Sequence, residues 1–161
     1  MNTIATTTSD SAAAGAAGGL LTRMRDLLER IPYSFIALVA RLATAVVFWR
    51  SGSVKLDDWA GTLNLFADEY KVPLIPPQIA AYAATAMELG GAVLMLLGLG
   101  TRAVALAYLG MITVIQTFVY PSAWPTHIQW VAFLLILLAR GPGALSLDAL
   151  IARLVGRRRG A

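Results

Sequence analysis

Residues 80–99 read AAYAATAMELGGAVLMLLGL, an apolar run about as long as the roughly 20 residues that an α-helix needs to cross a bilayer. Glu88 lies in the middle of this run. A charged side chain at the centre of a membrane-spanning helix costs about 2.5–3.5 kcal/mol on insertion scales, so it requires a charged partner, water or a ligand. The first question that the sequence raises is therefore which group faces Glu88.

The composition around this run is that of an integral membrane protein. Of the 161 residues, 58% are hydrophobic and 14% are charged, whereas about 25% of the residues of a soluble domain are charged. Four apolar runs cover about 31–49, 79–99, 103–120 and 125–139. The last run is short, so it either spans with local thinning of the bilayer or forms a buried or re-entrant segment. We predict an all-α fold, a membrane-embedded four-helix bundle over residues 31–140.

Three basic residues are candidate partners for Glu88. Arg41 lies near the middle of the first apolar run, and this depth makes it the preferred partner. Lys55 falls close to the same helical face as Arg41 if the first helix continues past Gly52, where a glycine could break it. His127, the only histidine, is the third candidate. The sequence predicts an Arg41–Glu88 pair, with Lys55 and His127 as alternatives.

The flanking segments predict helices at the membrane surface. Apolar residues recur at helical spacing in 20–30 and in 57–70, and the second of these would lie between the first two spans. Residues 141–161 begin with a Gly-Pro-Gly stop, contain Ser146 as a capping residue and continue as a basic interfacial helix. Residues 1–19 lack the basic start and apolar core of a signal peptide, and we predict that they are disordered.

The charge distribution predicts the orientation of the chain. Arginines precede the first apolar run and follow the fourth, ending in the run at 157–159. By the positive-inside rule we expect both termini in the cytoplasm. We also expect the membrane to be a bacterial inner membrane, a separate expectation that the charges do not decide. The basic C-terminal run should bind anionic lipid of the bilayer rather than nucleic acid.

Further polar residues cluster towards the end of the predicted bundle that lies opposite the chain termini. Gln116 shares one helical stripe with Thr113, Thr117 and Tyr120, a pattern that also suits hydrogen bonding between helices. His127 and Trp130 follow in the connection to the fourth run, where aromatic residues are commonly interfacial anchors. The predicted intramembrane polar site comprises six residues: Arg41, Lys55, Glu88, Gln116, His127 and Trp130.

The sequence also limits the chemistry of such a site. The chain has no cysteine, so thiol exchange and thiolate ligation are not its own chemistry, and it has no haem-attachment motif. A single histidine without clustered cysteine or carboxylate residues does not predict a metal site. No phosphate-binding loop or nucleophile elbow is present, so no catalytic residue is assigned.

Two longer stretches carry a resemblance to a known family. Arg41, Gly52 with Lys55, MELGGAVLMLLGLGTR (87–102), His127 with Trp130, and ARGPGALSLD (139–148) occur in the order typical of the DoxX family of small four-helix membrane proteins. The resemblance covers roughly 33–150. It implies a four-helix bundle and an association with oxidoreductases, since relatives include a membrane subunit of a thiosulfate:quinone oxidoreductase. A quinone is the cofactor that it suggests, and a redox-enzyme subunit is the partner.

Three functions are compatible with these features. The first is a redox-associated membrane subunit that binds a quinone through the polar site. The second is a non-catalytic anchor or assembly factor, in which the Arg41–Glu88 pair only fixes the helix register. The third is transport of a small solute or proton, although the sequence shows no inverted repeat. Homo-oligomerisation is open.

Overall fold

The structure, a computed structural model, describes residues 22–159. The predicted disordered tail over 1–19 lies outside the described residues. Within the described part of the chain every regular element is helical, so the predicted all-α class is confirmed. Residues up to Tyr33 and residues from Ser34 onward form two units.

The first unit contains α1, which covers residues 22–29. Arg25 Nε donates to Glu29 Oε1 at 2.7 Å, one helical turn away. Both side chains are exposed, so this pair contributes little to stability. Leu27 and Leu28 are exposed as well, and the placement of this helix on a membrane surface stays a prediction.

Six helices follow α1 among the described residues: α2 (Tyr33–Asp57), α3 (Trp59–Asn64), α4 (Pro77–Leu97), α5 (Thr101–Val114), α6 (Trp124–Arg140) and α7 (Leu147–Arg159). Two π-helical segments continue α3 and α5, at Leu65–Tyr70 and Ile115–Val119, and a 3₁₀ turn at Pro121–Ala123 precedes α6. The four long helices are α2, α4, α5 with its continuation, and α6 with its preceding turn. Each is long and apolar enough to cross a membrane, so the protein is an integral membrane protein with a helical bundle.

The first spanning helix is longer than predicted. The apolar run ends at Trp49, but α2 continues to Asp57, and Gly52 lies buried within it. A Cβ atom at Gly52 would lie 2.7 Å from Leu89 Cγ, so the glycine lets the Leu89 side chain of α4 approach the α2 backbone. The helix therefore continues past the apolar run, which resolves the alternative that Gly52 breaks it: Gly52 serves packing rather than helix termination.

The fourth span gains length at its beginning. Pro125 occupies the first turn of α6, where its missing N–H costs no hydrogen bond. Together with the 3₁₀ turn, the segment Pro121–Arg140 has 20 residues. Its length and composition therefore suffice for a span, which the run 125–139 alone left open.

The segment predicted as one amphipathic helix over 57–70 is divided. Asp58 ends the continuation of α2 and caps α3, since its Oδ1 accepts the N–H of Gly61 at 2.8 Å. Phe66 is buried against Ala80 and Ala81 at the start of α4, and Trp59 packs beside them. The apolar face of this segment therefore covers one end of α4.

The connections at the opposite end of α4 are held together by Asp148. Its carboxylate accepts the N–H groups of Gly100 and Thr101 at 2.8 and 3.1 Å, which caps the start of α5. Ser146 Oγ accepts the N–H of Ala149 at 3.2 Å, so the predicted cap of the last helix is confirmed. Gly98 has a φ of 67°, a left-handed conformation that ends α4 readily because glycine has no Cβ.

Candidate functional site

Glu88 is paired with Lys55. The Lys55 ammonium donates to Glu88 Oε2 at 2.8 Å and to Oε1 at 2.9 Å. Ser51, one turn before Lys55 on α2, accepts from Lys55 Nζ at 3.0 Å and donates to Glu88 Oε1 at 3.1 Å. Only 13% of the Lys55 side chain and 4% of the Glu88 side chain are exposed. Lys55 and Glu88, which we call the Lys55–Glu88 pair, therefore form a hydrogen-bonded cluster with Ser51.

Arg41 is not part of this cluster, so the preferred prediction of an Arg41–Glu88 pair is wrong. Its Nη1 donates to the carbonyl oxygens of Met95 and Leu96, both at 3.3 Å, and its Nη2 donates to the carbonyl oxygen of Leu145. These carbonyl groups lie at the end of α4 and in the loop before α7. Arg41 therefore satisfies backbone acceptors that a helix end leaves without partners.

The antiparallel packing of α2 and α4 explains why Lys55, and not Arg41, faces Glu88. Arg41, early in α2, reaches Met95 near the end of α4, whereas Lys55, late in α2, reaches Glu88. Seven residues separate Glu88 from Met95, which is about 10 Å of helix. Arg41 is thus too far along the helix pair to reach Glu88.

The backbone of Glu88 is fixed from a third helix. Tyr108 of α5 is fully buried, and its hydroxyl donates to the carbonyl oxygen of Glu88 at 3.0 Å. A Cβ atom at Gly91 would lie 2.7 Å from Tyr108 Cζ, so this glycine makes room for the phenol ring. Phe48 of α2 stacks on Tyr108 with ring centroids 3.7 Å apart. Three helices therefore position Glu88.

His127 and Gln116 lie together, as the predicted site requires. Gln116 Nε2 donates to the carbonyl oxygen of Pro121 at 2.7 Å, which leaves Gln116 Oε1 facing His127 Nδ1 at 2.6 Å. Because Gln116 Oε1 only accepts, His127 Nδ1 carries a proton, and in the neutral ring Nε2 keeps its lone pair. Trp130 lies beside this ring, with centroids 5.3 Å apart. The polar stripe on α5 thus orients a histidine.

The two threonines that share the helical stripe of Gln116 do not join the site. Thr113 and Thr117 are exposed, and their hydroxyls donate to carbonyl oxygens one turn back on their own helix. The Tyr120 hydroxyl donates to Glu69 Oε1 at 3.1 Å and lies 3.3 Å from the Tyr70 hydroxyl. Burial raises the pKa of Tyr70 above its ordinary value, so its phenol stays protonated at neutral pH.

A cavity of about 370 Å³ connects these groups. Lys55, Glu88, His127 and Trp130 line it. Gln116 does not line the cavity but holds the His127 ring through its contact with Nδ1. Its walls are otherwise largely apolar and come from α4, α5 and the adjoining segments: Phe66, Val72, Ile75, Ala80, Ala83, Ala84, Met87, Ala107, Met111, Val114, Ile115 and Val119. The volume lies at the lower end of the roughly 300–1,000 Å³ typical of small-molecule sites. The structure therefore brings together five of the six predicted residues and leaves Arg41 outside.

Several residues of the site have little signal in the sequence. Ser51 could have been found, because it lies one turn from Lys55 on the same helical face. Tyr70, Tyr108 and Met111 could not, since an aromatic or methionine residue in an apolar helix is typical of a core position.

Among residues 22–159, no group of three or more histidine, cysteine or carboxylate side chains is placed to hold a metal ion. The site instead offers one buried ion pair, one oriented imidazole and an apolar wall. Such a site can bind an apolar molecule that carries hydroxyl or carbonyl oxygens and can exchange protons with it.

Comparison with known proteins identifies the family. The DoxX family model matches residues 36–121, more than half of the 161 residues. The matched region runs from α2 through the π-helical end of α5, and it includes Lys55, Glu88 and Gln116. No curated protein and no solved structure matches the chain. The match over most of the bundle, in agreement with its four apolar helices, shows that this integral membrane protein belongs to the DoxX family.

Proposed function

We propose that the protein is a membrane subunit that binds a lipid-soluble quinone in the cavity and acts together with a redox enzyme. The observation that carries the proposal is the cavity itself, in which the ionisable residues Lys55, Glu88 and His127 line a largely apolar chamber inside a membrane protein. Ionisable residues in such positions generally mark a functional pathway or site.

The hydrogen-bonding groups of the site suit the headgroup of a quinone. The three N–H groups of the Lys55 ammonium are directed to Glu88 Oε1, Glu88 Oε2 and Ser51 Oγ. The Glu88 carboxylate and His127 Nε2 remain as acceptors for a ligand, and the Tyr70 hydroxyl and the Trp130 indole N–H, which also line the cavity, are donors. A hydroquinone presents two hydroxyl groups and a quinone two carbonyl oxygens on a flat apolar ring, so groups that complement either form are present in this cavity.

When bound, a quinone would supply two-electron, two-proton redox chemistry. The residues of this chain would hold and move the protons: Glu88, whose charge Lys55 stabilises, and His127, whose ring Gln116 orients. The electrons would pass to or from the partner redox enzyme. Trp130 and the aliphatic walls would exclude water from the ring.

The proposal is tested by titrating the purified full-length protein, and membranes that contain it, with a short-tailed quinone in its oxidised and reduced forms. Trp130 lines the cavity, so saturable quenching of tryptophan fluorescence is the expected signal. Glu88→Gln should weaken binding about tenfold, the effect of losing about 1.4 kcal/mol. Asp57→Asn, an exposed carboxylate at the end of α2, is the matched control. Binding that does not saturate in either preparation would contradict the proposal.

A non-catalytic anchor is the second candidate, favoured by the fact that Arg41 and Lys55 both join α2 to α4. The exchange Lys55→Glu with Glu88→Lys separates the two. If the pair only fixes helix register, the double variant should restore both the folded protein and its cellular phenotype. If it serves the quinone, the double variant should fold and yet bind quinone poorly, because the carboxylate has moved to the other helix.

A further inference from the structure

A groove of about 480 Å³ lies beside the Lys55–Glu88 pair. Val47, Phe48, Arg50 and Val54 of α2 line it and do not line the cavity. Its remaining lining residues belong to the cavity as well: Ser51, Lys55, Tyr70, Glu88, Ile115 and Trp130. We call this feature the side groove. The side groove and the cavity therefore share one polar centre.

We infer that the side groove holds the polyisoprenoid tail of a quinone whose headgroup occupies the cavity, an inference that rests on the proposed function. It narrows the substrate class to long-tailed quinones of the membrane. A small soluble quinone would use the cavity alone.

Continuity with the cavity is the first argument. A molecule whose ring contacts Glu88 and Trp130 in the cavity already touches two residues of the groove wall. The same six side chains border both spaces, so a chain attached to that ring begins next to the groove. An occupant of this shape needs a polar head joined to an apolar chain, and a lipid-soluble quinone has this chemistry.

The lining of the groove is the second argument. Val47 and Val54 present aliphatic surface, and the largely buried Phe48 ring lies 6.0 Å from the Trp130 ring at an interplanar angle of 58°. Branched isoprenoid units pack well against such surfaces by dispersion contacts. Arg50 is exposed. Its guanidinium can therefore extend from the rim of the groove towards the lipid headgroups, while the methylene groups of its side chain cover the groove.

The position of the groove is the third argument. Val47 and Val54 belong to one spanning helix and Trp130 to another. Val54 of the groove wall is 62% exposed on a helix that can cross a membrane, so we place the opening of the groove towards the lipid, from which a quinone would enter. The apolar tail gains little hydrophobic free energy on leaving lipid for an apolar groove. The position of the tail and its rate of release are therefore better observables than equilibrium affinity.

Photolabelling of the full-length protein in lipid locates the tail directly. The probe is a quinone with a diazirine in its second isoprenoid unit, and labelled residues are mapped by mass spectrometry with and without excess unlabelled quinone. We expect competed labels on residues 47–54 and on Trp130. Competed labels on residues 72–75, at another wall of the cavity, would overturn the inference. A headgroup-labelled probe that gives no competed label at all would instead overturn the proposed function.

A pair of variants tests the groove independently. Val54→Trp fills the groove. Val46→Trp is the control, because Val46 lies on the same helix but lines neither the cavity nor the groove. The two valines are similarly exposed, Val54 by 62% and Val46 by 67%. Val54→Trp should speed the release of a long-tailed quinone about tenfold and leave a tail-free analogue unaffected. Val46→Trp should change neither rate. Equal effects of the two variants, or an equal effect of Val54→Trp on both ligands, would contradict the inference.

Discussion

At the scale of single residues, Arg41 and Lys55, two cations of the same helix, have different tasks. Arg41 is 1% exposed, and its planar guanidinium donates to backbone carbonyl groups of two separate segments. Lys55 concentrates its three donors on one carboxylate and one hydroxyl. A guanidinium suits the first arrangement because its donors diverge in a fixed plane, whereas an ammonium suits the second because its charge is compact.

Arg41→Lys should therefore destabilise the protein without changing its ligand site. An ammonium cannot bridge both the end of α4 and Leu145, and each lost hydrogen bond to a charged group costs about 1.5–3 kcal/mol. We expect a lower melting temperature in detergent, together with unchanged quinone affinity in the folded fraction. Reduced affinity at an unchanged melting temperature would show that Arg41 belongs to the site after all.

The sequence identified the residues of the site better than their pairing. Buried charge singled out Glu88, and helical spacing placed Lys55 close to the face of Arg41. Depth within an apolar run could not rank Arg41 against Lys55, because it does not fix how far α2 and α4 slide along each other. That register depends on contacts such as Gly52 with Leu89, which have no signature in a single sequence.

At the scale of elements, the close approach of α2 and α4 brings the charged residues together. A Cβ atom at Gly52 would lie 3.2 Å from Glu88 Cβ as well as close to Leu89. The four apolar runs of the sequence predicted the four long helices. They did not predict that α2 ends at Asp57, because residues 50–57 are too polar to continue an apolar pattern. The two π-helical segments were also not predictable, although Phe66, Tyr70, Ile115 and Val119 from them line the cavity.

Gly52→Val should push α2 away from α4 and weaken the Lys55–Glu88 pair. We expect a lower melting temperature and weaker quinone binding, since overpacking typically costs about 1–3 kcal/mol. Adding Leu89→Ala should recover part of both losses by making room for the valine. Gly90→Val is the control, because no atom lies within 4 Å of a Cβ at that position. Similar losses for the Gly52 and Gly90 variants would show that close packing at Gly52 is not the cause.

At the scale of the whole molecule, the distribution of charge predicts how the bundle is oriented. The arginine-rich ends of the chain should lie in the cytoplasm, which places the loop between α5 and α6 on the opposite side of the membrane. The cavity would then lie towards the outer half of the bilayer, since His127 follows directly after that loop.

Cysteine labelling tests this orientation without background, because the chain has no cysteine of its own. Ser122→Cys lies in the 3₁₀ turn before α6, and Gly156→Cys lies in α7; both positions are exposed. With a membrane-impermeant maleimide, we expect the first variant to be labelled in intact spheroplasts and the second only after permeabilisation. The reverse pattern would show that the arginine distribution does not set the orientation.

The most direct test of the central claim, that the cavity is the binding site of a quinone, is to fill it. Met111→Trp places an indole in the cavity, and Leu106→Trp places one on the same helix at a position that is 61% exposed. Ala84→Phe fills the cavity from α4 as a second variant, and circular dichroism checks that each protein is folded. The account predicts that the two cavity variants lose saturable quinone binding, while Leu106→Trp binds as the unmodified protein does. Unchanged binding by folded Met111→Trp and Ala84→Phe would contradict it.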